Sequence, residues 1–288
     1  MLTILFGLGA SLAYGAADFF GAIGSRKLRP VIVTGLAAWS GLALLLVVQL
    51  VGLFGAKYPP EVWLLGVVGG ICSAIALSCL YIALAIGPIS ILSPLSAVLS
   101  AIVPTVVAVI GGETFSWLGW LAIGLVLIAV VLVGFVPGDD VRVPSAKGLI
   151  AGTIAGVGIG AVLLCLAAAP SDTGIAMVTL LRLFNGILLS SFLVIQVLRR
   201  KVAGKEFTGI TRGTWVVIML CGFLDAGANL LFTEAVRSGT ITVTAVLTAL
   251  YPLGTILLAR IVLKERIARS QQLGIGLVLA ASVLLALA

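Results

Sequence analysis

The chain is a succession of long apolar runs separated by brief breaks marked by glycine, proline or charge. A bilayer core about 30 Å thick needs about 20 mostly apolar residues for a spanning helix. Ten segments meet that measure: residues 2–24, 31–54, 62–86, 89–111, 117–136, 148–169, 174–198, 215–236, 241–263 and 271–288. The runs are continuously apolar rather than alternating, which predicts helices and not the strands of a barrel. Gly87-Pro88 separates the third and fourth segments, and Ser238-Gly239-Thr240 the eighth and ninth. Such breaks stop a helix and turn the chain back on its neighbour. The longest connectors, residues 137–147 and 199–214, are too short to fold alone. No cleavable leader is expected, because the first run lacks a basic start and runs into Ser25-Arg26-Lys27.

The pattern repeats. At an offset of 152 residues Trp63 falls on Trp215, Gly70 on Gly222, Ala83 on Ala235, Gly87 on Gly239 and Glu113 on Glu265. The run Ile123-Gly124-Leu125-Val126-Leu127 falls on an identical run from Ile275 to Leu279. Before Trp63 the best offset becomes 145, placing Gly15 on Gly160, Thr34 on Thr179 and Gly41 on Gly186. The seven-residue difference fits a longer loop between the seventh and eighth segments. The predicted architecture is an all-α integral membrane protein of ten transmembrane helices, arranged as two inverted five-helix repeats. Residues 1–137 and 147–288 form the repeats, and 138–146 connect them. An odd number of spans per half reverses its direction through the membrane, and inverted repeats are characteristic of secondary transporters.

Composition sharpens this. Apolar residues make up 61% and charged residues 9%, with a mean hydropathy of +1.32. Soluble domains carry about 25% charged residues, so a soluble enzyme is excluded, as is disorder. The chain has no histidine, which removes His-dependent catalysis, His-based zinc sites and His proton relays. Cys72, Cys79, Cys165 and Cys221 lie singly in apolar runs and read as small core residues. The net charge of +7 points to membrane orientation rather than to nucleic acid. Of 17 basic residues, 13 lie in loops after odd-numbered segments, against Lys57 and Arg237 after even-numbered ones. The positive-inside rule puts the odd loops in the cytoplasm and both termini outside.

Few ionisable groups remain within the runs. Each costs at least about 2.5–3.5 kcal/mol at the bilayer centre, which makes it a functional candidate. Asp18, Arg182 and Asp225 lie deepest. Asp225, Asn229 and Thr233 share one helix stripe, as do Tyr14 and Asp18. Thr244, Thr248 and Thr255 with Pro252 mark another, and Ser93, Ser96 and Ser100 a fourth. On one reading these stripes line a central cavity, with Trp39, Tyr14, Tyr81 and Tyr251 as an aromatic wall. Asp18 or Asp225 would then hold an amine or a proton, because burial disfavours a bare carboxylate, and Arg182 would meet a carboxylate or neutralise Asp225. On the other, Arg182–Asp225 is a buried pair joining helices, and the hydroxyls bond backbone. Gly152, Gly156 and Gly160 form a small-residue face suited to close helix packing. Arg260 is expected to reach the cytoplasmic interface, Glu234 and Arg237 to pair at the opposite one, and Glu113 and Glu265 to sit at loop edges. No Walker sequence or strand-borne glycine fingerprint is present, and neither metal nor cofactor is expected.

Certain motifs resemble a known family. The first half carries Tyr81-Ile82-Ala83-Leu84-Ala85-Ile86-Gly87-Pro88, then Gly112-Glu113-Thr114 before Leu118-Gly119. The second carries Glu234-Ala235-Val236-Arg237-Ser238-Gly239, Tyr251-Pro252, and Lys264-Glu265-Arg266 before Gln271-Gln272-Leu273-Gly274. Together they resemble the EamA family of the drug/metabolite transporter superfamily over essentially the whole chain. The resemblance implies a multi-pass carrier, with the bacterial inner membrane as its expected place and no enzymatic activity. Its expected task is export of a small metabolite by alternating access, with amino acids among the candidate cargoes and protons as a candidate coupling ion. A monomer in the lipid bilayer is compatible with the pattern. The alternative is a multidrug or cationic-compound exporter of the same superfamily. An aspartyl protease-like intramembrane enzyme is a distant third, since neither Asp18 nor Asp225 lies in a Gly-x-Gly-Asp or Tyr-Asp context. One departure stands out: the mid-helix proline is present as Pro252, whereas the repeat-equivalent residue is Ser100.

Overall fold

A membrane-buried backbone must satisfy its polar groups within each segment, so continuous apolar runs become helices. The computed structural model describes residues 2–87, 89–112, 114, 116–134, 145–199 and 211–263, and individual positions between 269 and 284. The helices are α1 (Leu2–Ser25), α2 (Pro30–Leu50), α3 (Pro60–Ile86), α4 (Ile89–Ile110), α5 (Trp117–Gly134), α6 (Ala146–Ala167), α7 (Ala176–Leu198), α8 (Arg212–Arg237), α9 (Ile241–Thr248) and α10 (Tyr251–Leu263). Seven of them, α1 to α4 and α6 to α8, are long and apolar enough to cross a membrane.

Helix ends follow local chemistry. Pro30 and Pro60 stand at the first positions of α2 and α3, where a missing N–H costs nothing. Ser145, Thr211 and Thr240 cap α6, α8 and α9 by accepting from Gly148, Thr214 and Val243. The second run ends at Leu50, earlier than the expected 54, and Gly52 turns the chain with φ of 73°. The ninth run differs more. It was expected as one helix over 241–263, but α9 stops at Thr248 and α10 starts at Tyr251. Pro252 lies in the first turn of α10, so the lost N–H falls at a helix start instead of inside one. In α4, by contrast, Pro94 and Pro104 are carried within one continuous helix. Of the expected tenth span only individual helical positions are described, and Glu113, Glu265 and the side chain of Arg260 lie outside the described residues.

The helix pairings follow the repeat. α1 packs along α8, and α3 along α6. α2 packs on α8 and α7 on α3, while α4 lies on α6 and α9 and α10 lie on α1. Exchanging the halves maps each of these pairings onto its counterpart, and α2 meets α7 across the centre. The same relation holds at single residues. Gly222 abuts Ala37 and Ser40, and Gly70 abuts Leu181 and Asn185. Gly15 abuts Tyr251 and Thr255, and Gly160 abuts Ser100 and Val103. Thr34 and Thr179 each donate to the carbonyl four residues back, at 2.9 and 3.0 Å. Gly152 and Gly156 likewise sit against Leu95, Ser96 and Leu99 of α4, so the small-residue face of α6 serves helix packing.

Directions are reversed between equivalent helices. Near the start of α1, Thr3 donates to the Ser238 carbonyl at 2.7 Å. The neighbouring Arg237 donates to the Gly174 carbonyl at 3.0 Å, just beyond the end of α6. α1 therefore begins at the end of the molecule where α6 finishes. At that end, Ala56 and Gly174 form an isolated antiparallel bridge, through Lys57 N–H to Thr173 O and Ile175 N–H to Gly55 O, both 3.2 Å. Lys57 and Asp172 flank it at 3.0 Å. This clasp ties the α2–α3 turn of one half to the α6–α7 turn of the other. Large apolar side chains remain exposed on the outer faces, among them Leu5, Leu12, Val47, Ile75, Ile150 and Val194. A belt of that extent is covered by lipid, which makes this a multi-pass integral membrane protein.

Candidate functional site

Where α1, α3, α6 and α8 converge, they leave a narrow cavity of about 40 Å³, room for a few waters, so a larger molecule would need the walls to part. α1 contributes Tyr14 and Asp18, α8 contributes Asp225 and Asn229, and α3 contributes Ser73, Ala76 and Leu77. Ile159, Val162 and Leu163 come from α6, Ser100 from α4, and Thr248 and Tyr251 from the facing ends of α9 and α10. The helix break thus falls at the cavity wall, where irregular backbone in a membrane protein is tolerated.

Glycine lets the walls come together. A Cβ on Gly15 would lie 2.2 Å from the Tyr251 carbonyl oxygen and 2.7 Å from Gly254 Cα. Only a bare backbone admits α10 this close to α1, and Thr255 uses the approach to donate to the Gly15 carbonyl at 3.0 Å. Gly21 similarly makes room for the ring of Tyr81.

The two buried aspartates differ. Asp225 accepts from Arg182 Nη1 at 2.5 Å, with both side chains almost fully buried. Arg182 itself does not border the cavity, and its Nε and Nη2 find no partner among the described residues. Asp18 is 5% exposed and makes neither an ion pair nor a hydrogen bond among the described residues. A polar ladder lies beside it. Tyr14 donates its hydroxyl to Asn229 Oδ1 at 2.7 Å, Asn229 donates to the Asp225 carbonyl at 2.8 Å, and Thr233 donates to the Asn229 carbonyl at 2.8 Å. Asn185 donates to Ser73 at 2.8 Å on the other side. The carboxylate of Asp225 is thus committed to Arg182, whereas that of Asp18 is not part of this ion pair.

Of the nine residues expected in the site, Tyr14, Asp18, Asp225, Asn229, Thr248 and Tyr251 border the cavity. Arg182 stands behind Asp225. Tyr81 is buried nearby, its hydroxyl 3.2 Å from Cys221 Sγ. Trp39 lies apart: it is 39% exposed, donates to Ser190 at 2.8 Å and covers Gly186. Of the hydroxyl stripes, Ser96, Thr244 and Thr255 bond backbone carbonyls rather than face the cavity. Sequence reasoning missed Ser73 and the apolar lining of α3 and α6. The repeat carried the signal. At the 145- and 152-residue offsets, Tyr14 corresponds to Ile159, Asp18 to Leu163, Asp225 to Ser73 and Asn229 to Leu77. All eight line the cavity.

A helical membrane protein with a cavity between two related halves has the architecture of a carrier. The sequence model of the EamA-like transporter family matches residues 1–135 and again 146–287, and the chain belongs to this family. Its members are membrane transporters, not enzymes. A protein of known crystal structure, 16% identical, superposes with a TM-score of 0.73 over 99% of this chain and 96% of its own, which supports the shared fold. No curated protein sequence matches the chain.

Proposed function

We propose that the protein is a secondary transporter that binds a small molecule in this cavity and moves it outward by alternating access. The observation that carries the reading is that one cavity takes four pairs of repeat-equivalent residues, one of each pair from either half. Two similar halves of opposite direction can exchange conformations, and that exchange closes one face as it opens the other. On this reading the chain completes ten helices as two inverted five-helix repeats, residues 1–137 and 147–288. Its place is the bacterial inner membrane, and the clasp between Ala56 and Gly174 closes the outer face. Protons are the proposed coupling ion. Without histidine, a carboxyl is the proposed carrier, and Asp18 makes no ion pair or hydrogen bond among the described residues.

The test is counterflow in vesicles reconstituted with the pure protein. Unlabelled cargo loaded inside should drive transient accumulation of labelled cargo from outside. Flux without this overshoot means a channel and overturns the carrier reading.

A further inference from the structure

The halves are related in position but not in chemistry. In three of the four equivalent pairs lining the cavity, the residue from α1 or α8 is polar and its counterpart is apolar: Tyr14 against Ile159, Asp18 against Leu163, and Asn229 against Leu77. In the fourth, Asp225 faces Ser73, whose hydroxyl already accepts from Asn185. The cavity is therefore two-sided. α1 and α8 form a polar wall, and α3 and α6 one that is mostly hydrocarbon.

Charge settles what the polar wall can meet. Arg182 and Asp225 cancel each other, and the guanidinium lies behind the carboxylate rather than at the lining. That leaves Asp18 as the carboxyl group of the lining without an ion pair among the described residues, one that a cation would hold in its charged form. No lysine or arginine is among the described lining residues. A carboxylate entering the site would be desolvated beside Asp18 with no cation to receive it, and an unpaired charge in a low-dielectric site is strongly disfavoured. A positive nitrogen would find Asp18 and the ring of Tyr14 or Tyr251.

We infer that the cargo is a small amphipathic organic cation, its charged nitrogen at Asp18 and its apolar body against Leu77, Ile159 and Leu163. This rests on the carrier reading for transport but concerns the site alone for binding. It selects a monocation over a zwitterionic amino acid and over an organic acid.

The test holds the apolar body constant and varies the charge. Phenethylamine, phenylalanine and 3-phenylpropanoate share a phenyl ring on a two-carbon chain, and benzyltrimethylammonium adds a fixed positive charge. Each is titrated into the purified full-length protein while its melting temperature is followed, since a ligand of the native state raises it. Both cations should give a saturable rise, and the zwitterion and the acid none. Asp18→Asn should weaken phenethylamine binding by about tenfold or more, the scale of a lost charge-assisted contact. The panel on the unaltered protein decides the charge class even if that variant does not fold. Equal or stronger binding of the zwitterion or the acid, or no shift with either cation, overturns the cation assignment. Those results leave the carrier reading standing if counterflow succeeds. A cation that binds but gives no counterflow upholds the site and removes the carrier reading.

Discussion

Arg182 of α7 and Asp225 of α8 meet Nη1 to Oδ2 at 2.5 Å, both almost fully buried, in the middle of a protein with very few internal charges. Two charges taken from water into the membrane interior attract strongly and are each costly alone. Their removal should therefore be strongly non-additive. Arg182→Met or Asp225→Leu alone strands the partner and should destabilise by about 3–5 kcal/mol. The double variant removes both charges and should regain most of that loss. Denaturation of the four proteins forms a double-mutant cycle. Additive losses would mean that the pair is not coupled.

Asp18 should behave in the opposite way. It makes no ion pair or hydrogen bond among the described residues, so Asp18→Asn strands nothing. Its melting temperature should match or exceed that of the unaltered protein, while transport in vesicles is lost. Asp18→Asn that melts much earlier would show a structural role, and Asp18→Asn that transports normally would remove it from the site.

The difference between these aspartates shows what was legible in the sequence. Both stood out because a chain with 9% charged residues buries few of them. The pairing of Arg182 with Asp225 was one of two open readings, because periodicity within one helix says nothing of its neighbour, and the structure brings the two together across helices 43 residues apart. The helix runs and the repeat offsets were readable because both are properties of spacing. The break after Thr248 was not, since the apolar run continues through it and Pro252 is equally compatible with a kink. Trp39 misled for a related reason: an aromatic ring suits a binding wall and a lipid-facing surface alike, and its residue type cannot say which face it occupies. The apolar half of the cavity carried no chemical signal at all. Leu163 is unremarkable until it is seen as the counterpart of Asp18.

Glycine substitutions should separate contact from propensity. A Cβ at Gly15 meets the backbone of α10, which cannot rotate away, whereas a Cβ at Gly227 meets nothing within 4 Å. Gly15→Ala should cost about 1–3 kcal/mol through forced separation of the two helices. Gly227→Ala should be neutral or stabilise by about 0.5–1 kcal/mol, since alanine is the better helix former. Thermal melts of both variants check the contrast. Similar losses at the two sites would contradict the close approach of α1 and α10.

The clasp offers a direct test of motion. It joins the two halves at one end through the bridge of Ala56 and Gly174 and the exposed pair Lys57–Asp172. Lys57 holds the Asp172 carboxyl below the usual carboxylate range. A depressed carboxyl contributes above its unfolded value of about 4 and loses that contribution as pH falls through the lower folded one. From pH 6 to 8 the pair is therefore constant, and because it is exposed, Lys57→Gln should barely move the melting temperature. Tethering should matter far more. In a background with Cys72, Cys79, Cys165 and Cys221 replaced by alanine, Lys57→Cys and Asp172→Cys can be bridged by a short, reducible bifunctional thiol reagent. Bridging should stop transport, reduction should restore it, and either cysteine alone should be unaffected. A membrane-impermeant reagent should reach the pair from outside, as the positive-inside rule requires. Undiminished transport by the bridged protein would mean that the halves do not part at this end during the cycle.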